Sequence, residues 1–235
     1  MDVCLTPDMI PAWTFRNMTV VVADILRATS SITAGIHGGV PAIRPVEHVH
    51  RRQYWQNRGY LLGGERHGEM IDGFDIGNAP EDYQQAGRQG KKIIMTTTNG
   101  TRAIQASKEA KNLLIGSFLN LNTVAQYLIR ERPAFLIVCS GWRGKASLED
   151  TLFAGALIKQ VRTAYTDTAP GDGAHLALAT YERFRENLPA AVREASHGQR
   201  LLGLERGQDI DFCLQQSVYD VLPVLQGEEI VKSSI

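Results

Sequence analysis

The first two-thirds of the chain alternates short apolar runs with segments whose apolar residues recur at helical spacing. Apolar, β-branched runs of this length are typical of strands buried on both faces of a sheet. The runs cover 19–23, 42–46, 60–62, 93–97, 113–116 and 135–139, and the helical segments cover 29–37, 47–58, 100–110, 120–131 and 149–165. Regular strand–helix alternation predicts a layered α/β fold with largely parallel strand pairing.

The last third of the chain has a different pattern. Residues 174–187 form an amphipathic helical pattern, and shorter helices are predicted at 197–205 and 207–217. A late strand is predicted over 218–225, where Pro223 favours an edge position or a strand end. No linker or repeat divides the chain, so we predict a single domain over 1–235, with two lobes meeting at a cleft as a further expectation.

Composition narrows the classes of protein that fit this pattern. The chain has 25 Lys+Arg and 25 Asp+Glu, which gives a formal net charge of zero and argues against a general nucleic-acid or membrane-surface binder. No run approaches the ~20 apolar residues that span a bilayer, and no secretory signal is visible. The three widely spaced cysteines are typical of reduced thiols without a zinc site. We therefore expect a cytoplasmic protein.

Polar residues directly follow five of the predicted strands. Ligands of α/β sheets gather at the carboxyl ends of strands, so these positions are candidates for a binding rim. In chain order they are Asp24, Arg27, Glu65, Arg66, Thr97, Thr98, Asn99, Gly100, Thr101, Ser117, Cys139, Gly141 and Arg143. One such turn would be ordinary helix capping, whereas five in register predict a place where a ligand binds.

Several candidates also have a purely structural interpretation. Asn99 is a natural helix cap, and Asp150 fits a capping box that returns to Ser147. Cys139, at the end of a strand, is typical of a buried apolar position. Asp75 lies between two glycines in the loop 73–80, where an Asx-turn is a common alternative to function. These interpretations stay open beside the functional ones.

Four acids and three arginines suggest a common chemistry. Mg²⁺ binds through few carboxylates plus substrate phosphate, and arginines hold phosphate or carboxylate in bidentate fashion. The helix start at 98–101 adds free N–H groups that favour an anion. The acids are Asp24, Glu65, Asp75 and Glu149, and the arginines are Arg27, Arg66 and Arg143. The combination predicts phosphoryl chemistry on a small acidic molecule, although a binding site without catalysis would use the same parts.

Known phosphate-binding motifs are absent, with one partial exception. Segment 141–146 lacks the P-loop spacing, and no G-x-S-x-G elbow occurs. Arg66-His67-Gly68 matches the R-H-G of histidine phosphatases, which also need a second, late histidine. His175 and His197 are late enough, but no predicted strand leads into either of them. A histidine phosphatase therefore stays an alternative.

The order of the motifs resembles the 2-phosphosulfolactate phosphatase (ComB) family over about 18–225. The segments that carry the resemblance are VVADILRATSSI, LGGERHG, GFDIGNAP, TTTNGTRAI, IGSFLN, CSGWRGKASLEDTLFAGALI and SHGQRLLGLERGQDIDFC. The resemblance implies a three-layer α/β/α fold with a mostly parallel or mixed sheet and a site in a cleft. It also implies a Mg²⁺-dependent phosphatase that converts (2R)-O-phospho-3-sulfolactate to 3-sulfolactate and phosphate, on the route to coenzyme M.

The resemblance carries over to individual residues. Those that match are Asp24, Arg27, Glu65, Arg66, Asp75, Asn78, Thr97, Thr98, Asn99, Gly100, Ser117, Cys139, Gly141, Gly144, Glu149 and Asp150. Two departures are Ala79, where the family usually has Ser, and His67, which is not a family feature.

Roles follow for each group of residues. The expected metal ligands are Asp24, Glu65, Asp75 and Glu149. The candidate catalytic residues are Asp24, Glu65, Asp75 and Cys139, and either water or one of Asp24, Asp75 and Cys139 attacks phosphorus. Substrate binding is expected from Arg27, Arg66, Thr97, Thr98, Asn99, Gly100, Thr101, Ser117, Gly141 and Arg143. A homodimer is the default assembly. The remaining alternatives are a non-catalytic binder of a small anionic metabolite and a metal-assisted lyase or isomerase.

Overall fold

A computed structural model describes residues 1–12, 15–85, 90–166 and 169–233 of the chain. The strands are β1 (Asp2–Cys4), β2 (Thr19–Ala23), β3 (Ile43–Pro45), β4 (Leu61–Arg66), β5 (Glu69–Met70), β6 (Ile93–Thr96), β7 (Asn112–Gly116), β8 (Phe135–Cys139), β9 (Pro223–Gln226) and β10 (Glu229–Lys232). They form one mixed sheet in the order β1-β8-β2-β7-β9-β10-β3-β6-β4-β5.

Two parallel blocks, β1-β8-β2-β7 and β3-β6-β4, make up most of the sheet. The antiparallel hairpin of β9 and β10 joins them, and β5 is an antiparallel edge strand. Because three antiparallel pairings separate the blocks, their strands run in opposite directions along the ladder. The segments that follow β2 and β8 of the first block and those at the ends of β4 and β6 of the second nevertheless line one cleft.

Alternate residues of the central strands point into two different cores. Val21 and Ile137 belong to a core covered by one set of helices, whereas Val20 and Leu136 belong to a core on the other face. The first set is α5 (Leu121–Glu131), α6 (Leu148–Val161), α7 (Asp172–Phe184), α8 (Leu188–Glu194), α9 (Ser196–Gly203) and α10 (Gly207–Cys213). The second set is α1 (Ala28–His37), α3 (Pro80–Gln84) and α4 (Gly100–Ala106). The three-layer α/β/α expectation is confirmed.

A smaller apolar cluster lies at the far end of the sheet. Leu62 of β4 and Ile94 of β6 pack there with Phe74, and Trp55 covers them from α2 (Arg52–Gln56). The helix predicted over 47–58 is therefore shorter than the pattern indicated. Within the described residues, no helix is both long and apolar enough to cross a membrane.

The central strands agree with the sequence prediction, and the largest difference lies in the last third. All six apolar runs contain strands, but the strand predicted over 218–225 begins only at Pro223. The backbone before it pairs elsewhere, because Ser217 N donates to Phe118 O and Tyr219 N donates to Leu119 O. Pro223 is the first residue of β9, so it lies at a strand end, which was one of the two predicted positions. The other, an edge strand, does not apply, because β9 lies between β7 and β10 inside the sheet. The short elements β1, β5, β10 and α8 were not predicted.

Gly155 tests the packing of α6 against α7. A Cβ at this position would lie 2.1 Å from Ala177 O and 2.6 Å from Tyr181 Cβ. We expect Gly155→Ala to lower the free energy of unfolding by about 1–3 kcal/mol, because backbone would have to move. Gly203→Ala in α9 is the matched control, since nothing lies within 4 Å of its Cβ. Urea unfolding should show no loss for the control, whereas equal losses would contradict the packing described.

Candidate active site

A cleft opens where β2, β4, β6 and β8 end. Its lining residues come from the segments after these strands, from the loop before α3 and from α9. They are Asp24, Leu26, Arg27, Glu65, His67, Gly68, Asn78, Thr97, Thr98, Asn99, Trp142, Arg143, His197, Arg200 and Leu201. The structure thus gathers Asp24 and Glu65 in one cleft, and it adds a helix that the strand-end pattern did not indicate.

Asp24 is a buried carboxylate at the end of β2. Its Oδ1 accepts a long hydrogen bond of 3.4 Å from Ala28 N. Gly100 packs so closely that a Cβ there would lie 2.6 Å from Asp24 Oδ2. Burial raises the pKa of Asp24 to about 6; the His197 charge lowers it and the Glu65 charge raises it. The protein therefore keeps a carboxylate where its ionised form is costly, which is typical of functional sites.

Glu65 and Asn78 place further oxygen atoms in the cleft. The Glu65 carboxylate accepts 2.8 Å and 2.7 Å hydrogen bonds from Thr98 N and Gly68 N, which tie the end of β4 to the segment after β6. Asn78 Oδ1 is buried and has no hydrogen-bond partner among the described residues. Because a buried acceptor without a partner is costly, this oxygen is a candidate for contact with a ligand.

Three arginines supply the positive charge of the cleft. Arg27 is buried, pairs with Asp209 of α10 and donates to Gly68 O at 3.0 Å. Arg143 lies over the Trp142 ring at 4.6 Å, and Arg200 donates to His67 O at 3.1 Å. Within the described part of the chain, neither Arg143 nor Arg200 pairs with a carboxylate. The charge of Arg27 is thus balanced by Asp209, whereas the guanidinium groups of Arg143 and Arg200 are available to bind an anion.

A histidine–carboxylate pair lines the cleft from α9 and α6. His197 Nδ1 lies 2.8 Å from Oε1 of Glu149, whose side chain is buried, and the His197 ring stacks on Trp142. Glu149 was predicted as a metal ligand, but its contact is with histidine and it does not line the cleft. Sequence reasoning gave His197 no role outside the histidine-phosphatase alternative. The only signal for the pair was an acid in the first turn of α6, because its partner lies 48 residues away.

Asp75 and Arg66 lie outside the lining of the cleft. Asp75 is exposed, and its Oδ2 accepts a 2.7 Å hydrogen bond from Leu62 N, which holds the loop against β4. The Arg66 guanidinium donates to Glu47 O and to Thr96 Oγ1. The structure therefore places Asp75 where it orders a loop, outside the residues that line the cleft with Asp24.

Three other predicted site residues are also directed elsewhere. Ser117 Oγ is buried beside Thr33 Oγ1 at 3.1 Å. Cys139 is fully buried, and burial raises the pKa of its thiol well above the usual range, which disfavours the thiolate needed for nucleophilic attack. Gly141 N donates to Asp150 Oδ2 at 3.1 Å. None of the three lines the cleft.

The predicted anion site at the start of α4 is largely used by the protein itself. Thr98 N donates to Glu65, and Thr101 N donates to Thr97 Oγ1 at 3.1 Å. Gly100 serves instead as the close packing surface for Asp24. Thr97, Thr98 and Asn99 do line the cleft, so this segment shapes the site, but its amide groups are not a free cradle.

The predicted capping box of α6 is wrong for Asp150. Its carboxylate accepts hydrogen bonds of 2.8 Å from Ile25 N, 3.1 Å from Gly141 N and 3.1 Å from Ser140 Oγ. Burial, with smaller contributions from the charges of Glu149 and Asp24, raises the pKa of Asp150 well above its usual value. This residue joins the ends of β2 and β8.

The donors in the cleft fit a Mg²⁺ site with few protein ligands, and they do not fit one formed by many carboxylates. The described residues contain no group of three or more His, Cys, Asp or Glu side chains that could hold a metal ion. Mg²⁺, however, is commonly held by one or two carboxylates together with waters and substrate phosphate. Asp24, Glu65 and the unpartnered Asn78 Oδ1 provide a donor set of this kind. The four-carboxylate site expected from the sequence is not assembled.

Comparison with known sequences bears on what such a cleft does. A family model described as 2-phosphosulpholactate phosphatase matches residues 4–228. The chain belongs to this family. The family consists of phosphoric monoester hydrolases, so the resemblance inferred from the motifs is confirmed over nearly the whole chain.

Curated relatives share the family across their full length. A "probable 2-phosphosulfolactate phosphatase" of Nostoc punctiforme is 35% identical over 237 residues, which cover 97% of this chain and 96% of the relative. The relative of Cyanothece sp. with the same description is 36% identical over 230 residues, covering 94% of both chains. A third, of Thermotoga maritima, is 35% identical over 217 residues, covering 92% of this chain and 93% of its own.

The raised pKa of Asp24 predicts a pH-dependent cost in stability. Its pKa of about 6 exceeds the unfolded value of 3.8, so the folded state binds the extra proton and loses stability as the pH rises from about 4 to above 6. Without metal, Asp24→Asn should therefore stabilise the protein by at most about 3 kcal/mol at pH 8, and by less at pH 5. Urea unfolding in EDTA measures this. Asp75→Asn, an identical change at an exposed position, is the control, and a gain for Asp24→Asn that does not depend on pH would refute the account.

Proposed function

We propose that this protein is a Mg²⁺-dependent phosphatase that hydrolyses a small 2-phospho acid. By family, the substrate is (2R)-O-phospho-3-sulfolactate, and the products are 3-sulfolactate and phosphate. The observation that supports the proposal most directly is one cleft that contains two carboxylates, Asp24 and Glu65, together with Arg143 and Arg200, whose guanidinium groups have no carboxylate partner among the described residues. A role in coenzyme M synthesis, a cytoplasmic location and a homodimer stay predictions.

Asp24, Glu65 and Asn78 Oδ1 are the groups that would hold Mg²⁺. When bound, Mg²⁺ supplies charge neutralisation for the phosphoryl oxygens of the substrate. Two N–H donors already orient Glu65, so its carboxylate does not need to reorganise when a cation arrives. Asp24 gains most from a cation, because its ionised form is otherwise buried beside Glu65.

The cations of the cleft would bind and orient the substrate anions. Arg143 and Arg200 come from different elements, the loop after β8 and helix α9, so together they can bind two anionic groups on one molecule. Arg27, held by Asp209 and Gly68 O, is a rigid donor at the base of the same cleft. A phosphorylated acid with a second anionic group fits this arrangement better than a simple phosphate ester does.

Positioning and charge stabilisation dominate phosphoryl transfer, so little covalent chemistry is required of the chain. Either a water molecule or the Asp24 carboxylate can attack phosphorus, since both lie in the cleft or can reach it. The Cys139 thiol is a poor candidate because it is buried and away from the cleft. Asp75 is a poor candidate because it lies outside the lining.

One observation favours the histidine-phosphatase alternative. His67 and His197 both line the cleft, as a phosphohistidine mechanism would require. The Arg66 guanidinium, which would bind phosphate in such an enzyme, instead donates to Glu47 O and Thr96 Oγ1. Metal dependence separates the two mechanisms, because a phosphohistidine mechanism needs no metal. A histidine phosphatase would also lose all activity in the variant His67→Asn.

Metal dependence can be measured directly with matched variants. We expect EDTA to abolish phosphate release and added Mg²⁺ to restore it. Asp24→Asn and Glu65→Gln should lower kcat/KM by about 100-fold or more, because a cation supplies several kcal/mol of transition-state stabilisation. Asp75→Asn should retain activity within a few-fold. Full activity in EDTA, or equal losses in all three variants, would count against the proposed site.

The substrate class can be tested by a screen for phosphate release. Each compound is assayed with and without Mg²⁺, and the set contrasts 2-phospholactate-type acids with esters that lack a carboxylate. Acids with a second anionic group should have the highest kcat/KM, and Arg200→Met should reduce that preference mainly through KM. Tight binding of these acids without phosphate release would support a non-catalytic binder instead.

A further inference from the structure

Glu149 is a buried acid with a single described partner. Its side chain is 2% exposed, Oε1 contacts His197 Nδ1 at 2.8 Å, and Oε2 has no hydrogen-bond partner among the described residues. A carboxylate is rarely buried with so few partners, and it is retained here in the first turn of α6. Asp150, its neighbour in sequence, has three donors, so Glu149 is not needed to close the ends of the strands.

His197 is fixed on two sides by this contact and by a ring stack. Its ring lies 5.4 Å from the Trp142 ring, centroid to centroid, at an interplanar angle of 16°. A carboxylate on Nδ1 sets both the tautomer and the orientation of an imidazole. Nε2 is left without a hydrogen-bond partner among the described residues, in a side chain that lines the cleft. The geometry therefore presents one imidazole nitrogen to whatever the cleft binds.

The charged groups around the ring come from several elements. Glu149 contacts it from α6, Asp24 lines the same cleft from the end of β2, Arg143 lies over the Trp142 ring on which His197 stacks, and Arg200 lies on its own helix. Two carboxylates and two guanidinium groups thus surround one histidine, in the same cleft where we place the phosphate ester.

We propose that His197 is the general acid of the reaction and that Glu149 is the residue that positions it; this rests on the phosphatase function proposed above. As the P–O ester bond breaks, the ester oxygen leaves with the electron pair and takes the proton from His197 Nε2, so a neutral alcohol departs. If water attacks, its oxygen forms the new bond to phosphorus and its proton passes to solvent. If the Asp24 carboxylate attacks, a water molecule then cleaves the aspartyl phosphate and releases that proton. In both cases solvent returns one proton to His197. Overall, the ester and one water give the alcohol and phosphate.

The chemistry of the leaving group makes such an acid valuable. The alkoxide of a 2-hydroxy acid is a strong base and a poor leaving group, so protonation during bond cleavage lowers the barrier. General-acid catalysis of this kind contributes about 10²–10⁴-fold to a rate. A thiolate leaves without protonation, and a substrate whose bridging oxygen is replaced by sulfur therefore bypasses the acid.

The test compares the 2-phospho acid that gives the best turnover with its bridging-sulfur analogue. We expect His197→Asn to lower kcat by about 10²–10⁴-fold on the oxygen ester and by less than about threefold on the sulfur analogue. Glu149→Gln, which keeps an acceptor near Nδ1 but removes its charge, should show the same selectivity with a smaller loss. His175→Asn, an exposed histidine of α7 outside the cleft, is the matched control and should behave as wild type on both compounds.

The outcomes separate this proposal from the one on which it rests. Equal losses on both compounds, with circular dichroism showing a folded variant, would assign His197 a structural role and overturn the present proposal alone. If wild type does not cleave the sulfur analogue, oxygen esters with leaving alcohols of different acidity decide: the loss caused by His197→Asn should shrink as the leaving alcohol becomes more acidic, and a constant loss would overturn the proposal. If wild type releases no phosphate from any 2-phospho acid, the phosphatase function fails and the general acid with it.

Discussion

The site depends on one buried carboxylate that is not part of the cleft. Asp150 accepts hydrogen bonds from Ile25 N, Ser140 Oγ and Gly141 N, and it thereby joins the ends of β2 and β8 to the first turn of α6. Asp24 precedes Ile25, and Arg143 follows Gly141 closely, so the same interaction fixes the residues on both sides. A buried carboxylate demands such donors, and the backbone of two strand ends supplies them.

Sheet topology provides the second constraint. The two parallel blocks run in opposite directions along the ladder, because the β9–β10 hairpin lies between them. In a flat sheet their carboxyl ends would lie at opposite edges, and Asp24 could not meet Glu65. The structure nevertheless gathers Asp24 and Glu65 in one cleft, so this sheet is not flat.

The cleft combines charges that would each be unfavourable alone. Asp24 is buried next to Glu65 and carries a raised pKa, while Arg143 and Arg200 have no carboxylate partner within the described ranges. Binding of a cation and a multiply charged anion would satisfy both sets at once. A neutral net charge for the whole chain and a highly charged cleft are therefore compatible, because the charge is concentrated where the ligand binds.

The sequence by itself determined the central strands, most helices, a layered α/β class, and the placement of Asp24, Glu65, Arg27 and Arg143 at strand ends, because apolar periodicity and strand-end chemistry are local properties. The three-layer arrangement was implied by the family resemblance and not by the periodicity. Only the tertiary structure decided which polar residues face the cleft. Asp75 and Cys139 have site-like local sequences, yet one holds a loop and the other is buried in the core. Glu149 and His197 meet across 48 residues, and no local pattern encodes that contact, since a side chain's partner depends on how distant elements pack.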